Sequence, residues 1–204
     1  MFKNRHEAAK QLLPLLLRYK AEQGIVLAIP RGGIPLGRII ADELSWPLEP
    51  LLIKKIGHPE NEEFAIGAVS LETIQVDPQF AKEFEKYIRE EAARLRSVLL
   101  ERNKRFMEGK KPADVKGKTV IVVDDGVATG RTMMAGISLL RQKNPARIIV
   151  AVPVTSNSAA DRISSVADEL VYLDRPEEFF GVGQFYEEFP QVDDSEVKQL
   201  LHQD

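Results

Sequence analysis

The 204-residue chain has no cysteine. That excludes a disulfide framework and a thiolate zinc site and fits a reducing compartment, so a cytoplasmic location is the expectation. Long apolar runs are missing too: no stretch of about 18 apolar residues occurs, and nothing in the chain has the length to span a bilayer as a helix. The short run Leu12 to Leu17 contains Pro14 and leads into Arg18, Tyr19 and Lys20 rather than a small-residue cleavage site. It reads as part of an amphipathic helix, not as a signal peptide. Charge of one sign is also lacking, since 28 Lys and Arg face 31 Asp and Glu for a net charge of -3. Neither nucleic acid nor an anionic membrane is drawn to the chain as a whole, and an anionic ligand has to be held by local groups. Internal repeats and low-complexity tracts are absent.

What the chain does have is a 44% hydrophobic composition, enough for one sizeable core with a small appended unit. Gly24 to Pro30 reads as a short strand, Ile34 to Leu44 has helical periodicity, and Glu49 to Ile56 reads as a second strand. A polar loop, GHPENEEF, separates it from a third apolar run, AIGAVSL. A long amphipathic helix over about 78–107 follows, with Phe80, Phe84, Tyr87, Ile88, Leu95, Val98, Leu99 and Phe106 at spacings of three and four. Then come a strand over Thr119 to Asp125, a helix over Thr132 to Lys143, a strand over Arg147 to Pro153, a helix near Asn157 to Val166 and a strand over Glu169 to Leu173. Strand and helix in alternation predict an α/β fold, a doubly wound and mostly parallel sheet flanked by helices. Residues 1–175 are expected to form this core, with 176–204 as a hood or flap in which Phe179, Phe180, Phe185, Tyr186 and Phe189 gather.

Ligands of such sheets sit outside the carboxyl ends of the strands. Two stretches fall there. After Asp124 and Asp125 the turn Gly126 to Gly130 enters a helix, so backbone N–H groups of about 128–132 can converge on an anion at a positive helix end. Thr129 and Thr132 add hydroxyls, and Gly130 permits close backbone approach. After the first strand, Arg31 with Gly32 and Gly33 offers a guanidinium fork and permissive amides to a second phosphate group. Two anion sites then flank one acid pair, which suits two ribose hydroxyls or, through water, a magnesium ion. Phosphoribosyl pyrophosphate (PRPP) has that layout.

The stretch VIVVDDGVATGRT resembles the signature of type I phosphoribosyltransferases, a hydrophobic strand, two acids, a short variable pair and Thr-Gly-x-Thr, and IPRGG sits where that family has its pyrophosphate loop. KKIGHPENEEFAIGAV and FFGVGQFYEEFPQVDDSEV are similar to a subgroup of predicted phosphoribosyltransferases of undefined acceptor. The resemblance implies Mg²⁺-dependent transfer of 5-phosphoribose to a nitrogen acceptor such as a nucleobase. It implies that Asp124 and Asp125 hold the ribose diol and, through water, Mg²⁺, that Ala128, Thr129, Gly130, Arg131 and Thr132, reached through Gly126, cradle the 5'-phosphate, and that Arg31, Gly32 and Gly33 bind pyrophosphate. A cis peptide is implied at Pro30–Arg31, and residues 57–66 correspond to a mobile closing loop with Lys54 and Lys55 at its root, of which strand alternation sends only one toward a given face. Relatives of this kind often dimerise, so a homodimer is the prior.

Ala128 stands where 6-oxopurine members carry an acid, which counts against hypoxanthine and guanine and leaves adenine, pyrimidine or a non-base nitrogen open. The TGRT ending also resembles an RNA-binding attenuator family on the same fold, so a non-catalytic sensor of PRPP or nucleotide is the second reading. Response-regulator receivers place their acid pair after the first strand, and haloacid dehalogenases need Asp-x-Asp, so both fit poorly. His58 reads as a solvated loop residue before an acid or base, and the C-terminal aromatics as core before a stacking platform.

Overall fold

The computed structural model describes residues 1–203. Helix α1 (Arg5–Leu16) starts where the Asn4 side chain accepts the Glu7 N–H at 3.1 Å, and it buries Ala8, Ala9, Leu12 and Leu16. Strand β1 (Gly24–Ala28) leads into α2 (Gly33–Leu44) and the short β2 (Leu48–Pro50). The chain then leaves the main sheet. Strands β3 (Ile53–His58), β4 (Asn61–Ser70) and β5 (Ile74–Val76) form a separate antiparallel sheet, followed by α3 (Pro78–Ala81) and α4 (Glu85–Met107). It returns through β6 (Thr119–Val123), α5 (Arg131–Arg141), β7 (Arg147–Val154), α6 (Asn157–Ser164) and β8 (Glu169–Asp174), and closes with α7 (Asp194–Leu201).

The main sheet has the order β2-β1-β6-β7-β8, with every pair parallel. Its strands are apolar on both faces because both faces are covered. Period-two alternation sends Val26, Ala28, Ile121, Val123, Ile149 and Ala151 toward the side of α1 and α2, where Leu12, Leu36 and Ile40 meet them. Ile25, Leu27, Val120, Val122, Ile148 and Val150 pack on the other side with Met133 and Ile137 of α5 and Ile163 of α6. The doubly wound α/β sheet expected from the alternating pattern is what the chain forms, with the small antiparallel sheet beside it.

Several element bounds differ from the sequence reading, each for a physical reason. The stretch 49–56, read as one strand, is split between two sheets: β2 ends at Pro50, and Leu51 and Leu52 are buried in the crossing. GHPENEEF, read as a loop, is mostly strand. Pairing of His58 with Asn61 leaves only Pro59 and Glu60 as the tip of a hairpin, and a register shift at Gly57 is possible because a Cβ there would lie 2.6 Å from the Glu62 carbonyl oxygen. His58 packs edge-on against the Phe80 and Phe84 rings at centroid distances of 5.7 and 4.9 Å. The long helix is interrupted between α3 and α4, where Phe84 leaves helical geometry with φ -111° and ψ 24°.

The position of the site follows from connectivity. The chain leaves β1 toward β2 on one side and comes back at β6 on the other, so β1 and β6 are neighbours with loops that diverge, the place where an open α/β sheet has a crevice. Their register pairs Ala28 with Val123, so both strands end at the same level. Arg31 and the acid pair are side by side although more than ninety residues separate them in sequence.

Candidate functional site

The two loops at this crevice are pressed together. The Ile29 N–H donates to the Val123 carbonyl at 2.9 Å, and the peptide between Pro30 and Arg31 is cis. Gly32 lies so close to Asp125 that a Cβ would come within 2.0 Å of Oδ2, and a Cβ on Gly33 would come within 2.6 Å of the Val123 carbonyl oxygen. Glycine at both positions is therefore a steric requirement of the contact between the two loops.

Asp125 is held by two side chains, Arg5 and Tyr186. Arg5 at the start of α1 donates from Nε to Oδ2 at 2.9 Å and brings a second guanidinium nitrogen to the same oxygen at 2.8 Å. The hydroxyl of Tyr186 donates to the Asp125 carbonyl oxygen at 2.6 Å. Arg5 also donates to the Pro190 carbonyl at 2.7 Å and stacks over the Phe189 ring at 3.8 Å, so one guanidinium fastens the acid pair to the C-terminal segment. Burial raises the Asp125 carboxyl above its ordinary range and the Arg5 charge opposes that rise. Asp124 is raised well above the ordinary value by burial, with the neighbouring Asp125 charge adding to it, while its Oδ1 accepts the Asp125 N–H at 2.9 Å. The Tyr186 hydroxyl is pushed upward by burial and by the same acids, and stays a donor.

The turn after the acids has a different character. Gly130 adopts φ +72° at the start of α5, a conformation that side chains rarely take. Ser156 fixes the turn from below, donating from its hydroxyl to the Ala128 carbonyl at 2.6 Å, while Val127 N–H reaches Val154 at 2.9 Å. Ala128, Thr129, Arg131 and Thr132 are exposed, with Gly130 buried among them. The first N–H groups of α5 have no partner inside the helix and point out of its positive end. These N–H groups and the exposed Thr129 and Thr132 lie together at one end of α5.

The remaining expected residues divide between two clefts. Arg31 and Gly32 line one of about 450 Å³ with Arg5, Asp125 and residues of the C-terminal segment. Lys55 lines the other, of about 840 Å³, with Thr129, Arg131 and Arg162. Lys55 thus stands on the side of Thr129 and Arg131 rather than beside Arg31, and Lys54, which alternation points the other way, lines neither cleft. Gly126 is wedged below the acids, where a Cβ would meet Val182 at 2.6 Å. The C-terminal aromatics Phe179, Phe185, Tyr186 and Phe189 pack with Phe2, Ala8 and Val154, while Phe180 is 88% exposed.

Arg5 and Tyr186 are site residues that the sequence reading missed. Tyr186 lay within a noticed aromatic cluster, but no local pattern marks Arg5, which acts across 120 positions.

The chain matches the Phosphoribosyl transferase domain family over residues 2–187. It is 32% identical over 205 residues to a provisionally named phosphoribosyl transferase of Mycobacterium tuberculosis, covering 98% of this chain and 46% of that protein. The chain therefore spans about half the length of the curated relatives it matches most fully. Its structure is similar to that of TT1426 from Thermus thermophilus, with a TM-score of 0.89 and 38% identity over 98% of this chain and 97% of the other. A shorter stretch, 59 residues or 28% of the chain, is 41% identical to part of a ribose-phosphate pyrophosphokinase of Pyrococcus furiosus, of which it covers 21%. The chain belongs to the phosphoribosyltransferase family and has the type I fold of that family. Among the described residues no helix is long and apolar enough to cross a membrane.

Proposed function

We propose that the protein transfers 5-phosphoribose from PRPP to a nitrogen acceptor, with a nucleobase as the leading class, and releases pyrophosphate. The observation that carries this reading is the direct packing of the Arg31–Gly33 loop against Asp125, with the open Thr129–Thr132 cradle continuing from the same strand end. A ligand with phosphates at both ends and a diol between them fits that order of groups.

In this reading the turn at Ala128 to Thr132 holds the 5'-phosphate by backbone N–H groups and the Thr129 and Thr132 hydroxyls, with Arg131 and Lys55 adding charge from the adjoining cleft. Asp124 and Asp125 accept from the ribose hydroxyls. Arg31, with the amides of Gly32 and Gly33, holds pyrophosphate. The C1'–O bond to pyrophosphate breaks with both electrons going to the leaving oxygen, and the acceptor nitrogen forms the new bond to C1' on the opposite face, losing its proton to solvent. Positive charge growing on the ribose lies near the two carboxylates, and negative charge growing on the leaving group lies near Arg31. The protein's contribution is placement and electrostatics. Closure of the hairpin segment 57–66 over the donor would exclude water that hydrolyses it.

The family typically works on PRPP with Mg²⁺, and the donor set here is compatible with that ion. Among the described residues no group of three or more His, Cys, Asp or Glu is placed to hold a metal ion. Two acids at the mouth of a phosphate site suit an ion that prefers phosphate oxygens and retained waters. Asp124 is the better placed of the pair, because Oδ2 of Asp125 is already engaged by Arg5. When bound, Mg²⁺ would neutralise charge on the pyrophosphate oxygens.

A second reading is that the pocket binds PRPP or a nucleotide as a sensor without turnover. The engagement of Asp125 by Arg5 favours it, since a guanidinium already occupies one face of an acid that transfer would use. Pyrophosphate release measured with PRPP and Mg²⁺ across a panel of bases and small amines separates the two. Release that depends on one acceptor establishes the transferase and names its substrate. Donor binding with no release from any acceptor supports the sensor, and absence of both overturns the proposed function.

A further inference from the structure

The guanidinium of Arg31 is not alone at its cleft. Asp194, the first residue of α7, places Oδ1 at 3.8 Å from one terminal nitrogen of Arg31 and Oδ2 at 2.5 Å from one of Arg105, near the end of α4. One carboxylate therefore bridges two cations from opposite walls, the loop after β1 and the helix that follows the small sheet. Arg102 lies one turn earlier on α4. Burial lowers its pKa, the Asp194 charge opposes that, and the positive charges of Arg31 and Arg105 add to the lowering, so all four groups share one electrostatic neighbourhood. Three guanidiniums face the two carboxylates of Asp194 and Asp193, the latter also under the influence of the Arg31 charge, and so leave one positive charge in excess beside the loop that the proposed function assigns to pyrophosphate.

We propose that Arg105, supported by Arg102, is a second pyrophosphate-binding group, and that the Asp194 carboxylate marks the position a phosphate oxygen takes when donor or pyrophosphate binds. The inference rests on the reading of Arg31 as a pyrophosphate residue and extends it to a helix outside the sequence motif. Two oxygens of one carboxylate are a small, singly charged version of what a diphosphate offers to the same guanidiniums. Pyrophosphate brings more charge and more acceptors and takes over the Arg105 contact, while Asp194, about one-third exposed at its side chain, turns to solvent. Asp194 is then an internal competitor, and its helix is coupled to occupancy of the site.

The test is calorimetric titration of inorganic pyrophosphate, with and without Mg²⁺, into the wild-type protein and the variants Asp194→Asn, Arg105→Ala and Arg105→Lys, with unfolding midpoints measured alongside. Asp194→Asn is expected to bind about threefold more tightly, Arg105→Ala several-fold more weakly and Arg105→Lys in between, in line with the modest worth of partly exposed charge pairs. A structural role for the pair would lower the midpoint in both Asp194→Asn and Arg105→Ala without moving affinity in opposite directions. Binding by wild type that none of the three variants alters overturns this inference and leaves the proposed function standing. No binding by any of the four proteins overturns both.

Discussion

The two halves of the candidate site are built on different principles. Where the β1 loop meets the acid pair, Gly32 and Gly33 have no room for a Cβ, and Asp125 is tied to Arg5 and Tyr186 from the two ends of the chain. On the β6 side, Thr129, Arg131 and Thr132 stand exposed on a turn anchored only through its backbone. The first half is part of the fold's stability, and the second is close to free of it. Changes in the first should cost folding as well as binding, and changes in the second should cost binding alone.

The largest effect is expected from Arg5→Ala, which leaves Asp125 buried without its cation. A loss of about 3 kcal/mol of stability is predicted, read by denaturant unfolding, and a loss below about 1 kcal/mol would show that the locked half is not locked by charge. Gly32→Ala is next. A methyl group directed at Asp125 Oδ2 should cost about 2 kcal/mol and remove donor binding, whereas retained affinity would place the donor elsewhere.

Asp124→Asn sharpens the comparison through pH. The folded state holds the Asp124 proton more tightly than the unfolded chain does, so its ionisation subtracts stability as pH rises from the ordinary carboxylate value, about 4, toward the raised folded value. The variant lacks this loss. Its stability relative to wild type should grow across that window by up to about 1 kcal/mol per pH unit, while donor binding falls. A pH-independent difference would contradict the assignment of the raised group. Tyr186→Phe removes one hydrogen bond to the Asp125 carbonyl and should cost about 1 kcal/mol, with the ring packing kept.

The contrast also explains what could be read from the sequence. The parallel sheet was legible because strands such as TVIVV are apolar throughout and alternate with helical periods. The turn after the acid pair was legible as a turn entering a helix because its parts are contiguous: acids, small residues, Gly130 and hydroxyls within nine positions. The locked half depends on contacts that local pattern does not encode. Arg5 looks like an ordinary surface residue at the start of a helix, and Asp194 like an ordinary acid in a first helical turn. The GHPENEEF part of the antiparallel hairpin was read as a loop because Glu60, Asn61 and Glu62 face solvent and leave no buried alternation to create a pattern. Lys54 and Lys55 show the same limit, since alternation separates them but only the fold decides which one shares a cleft with Thr129 and Arg131.

The smallest structural change carries the most direct test. Thr129→Ala removes an exposed hydroxyl and should alter stability by less than about 0.5 kcal/mol. Calorimetric titration of PRPP with Mg²⁺ into wild type and this variant is the measurement to make. The account predicts binding of one donor per chain by wild type and roughly tenfold weaker binding by Thr129→Ala at an unchanged unfolding midpoint, the worth of one hydrogen bond to a charged group. Equal affinities, or no binding by the wild-type protein, would contradict the claim that this turn is a phosphate site.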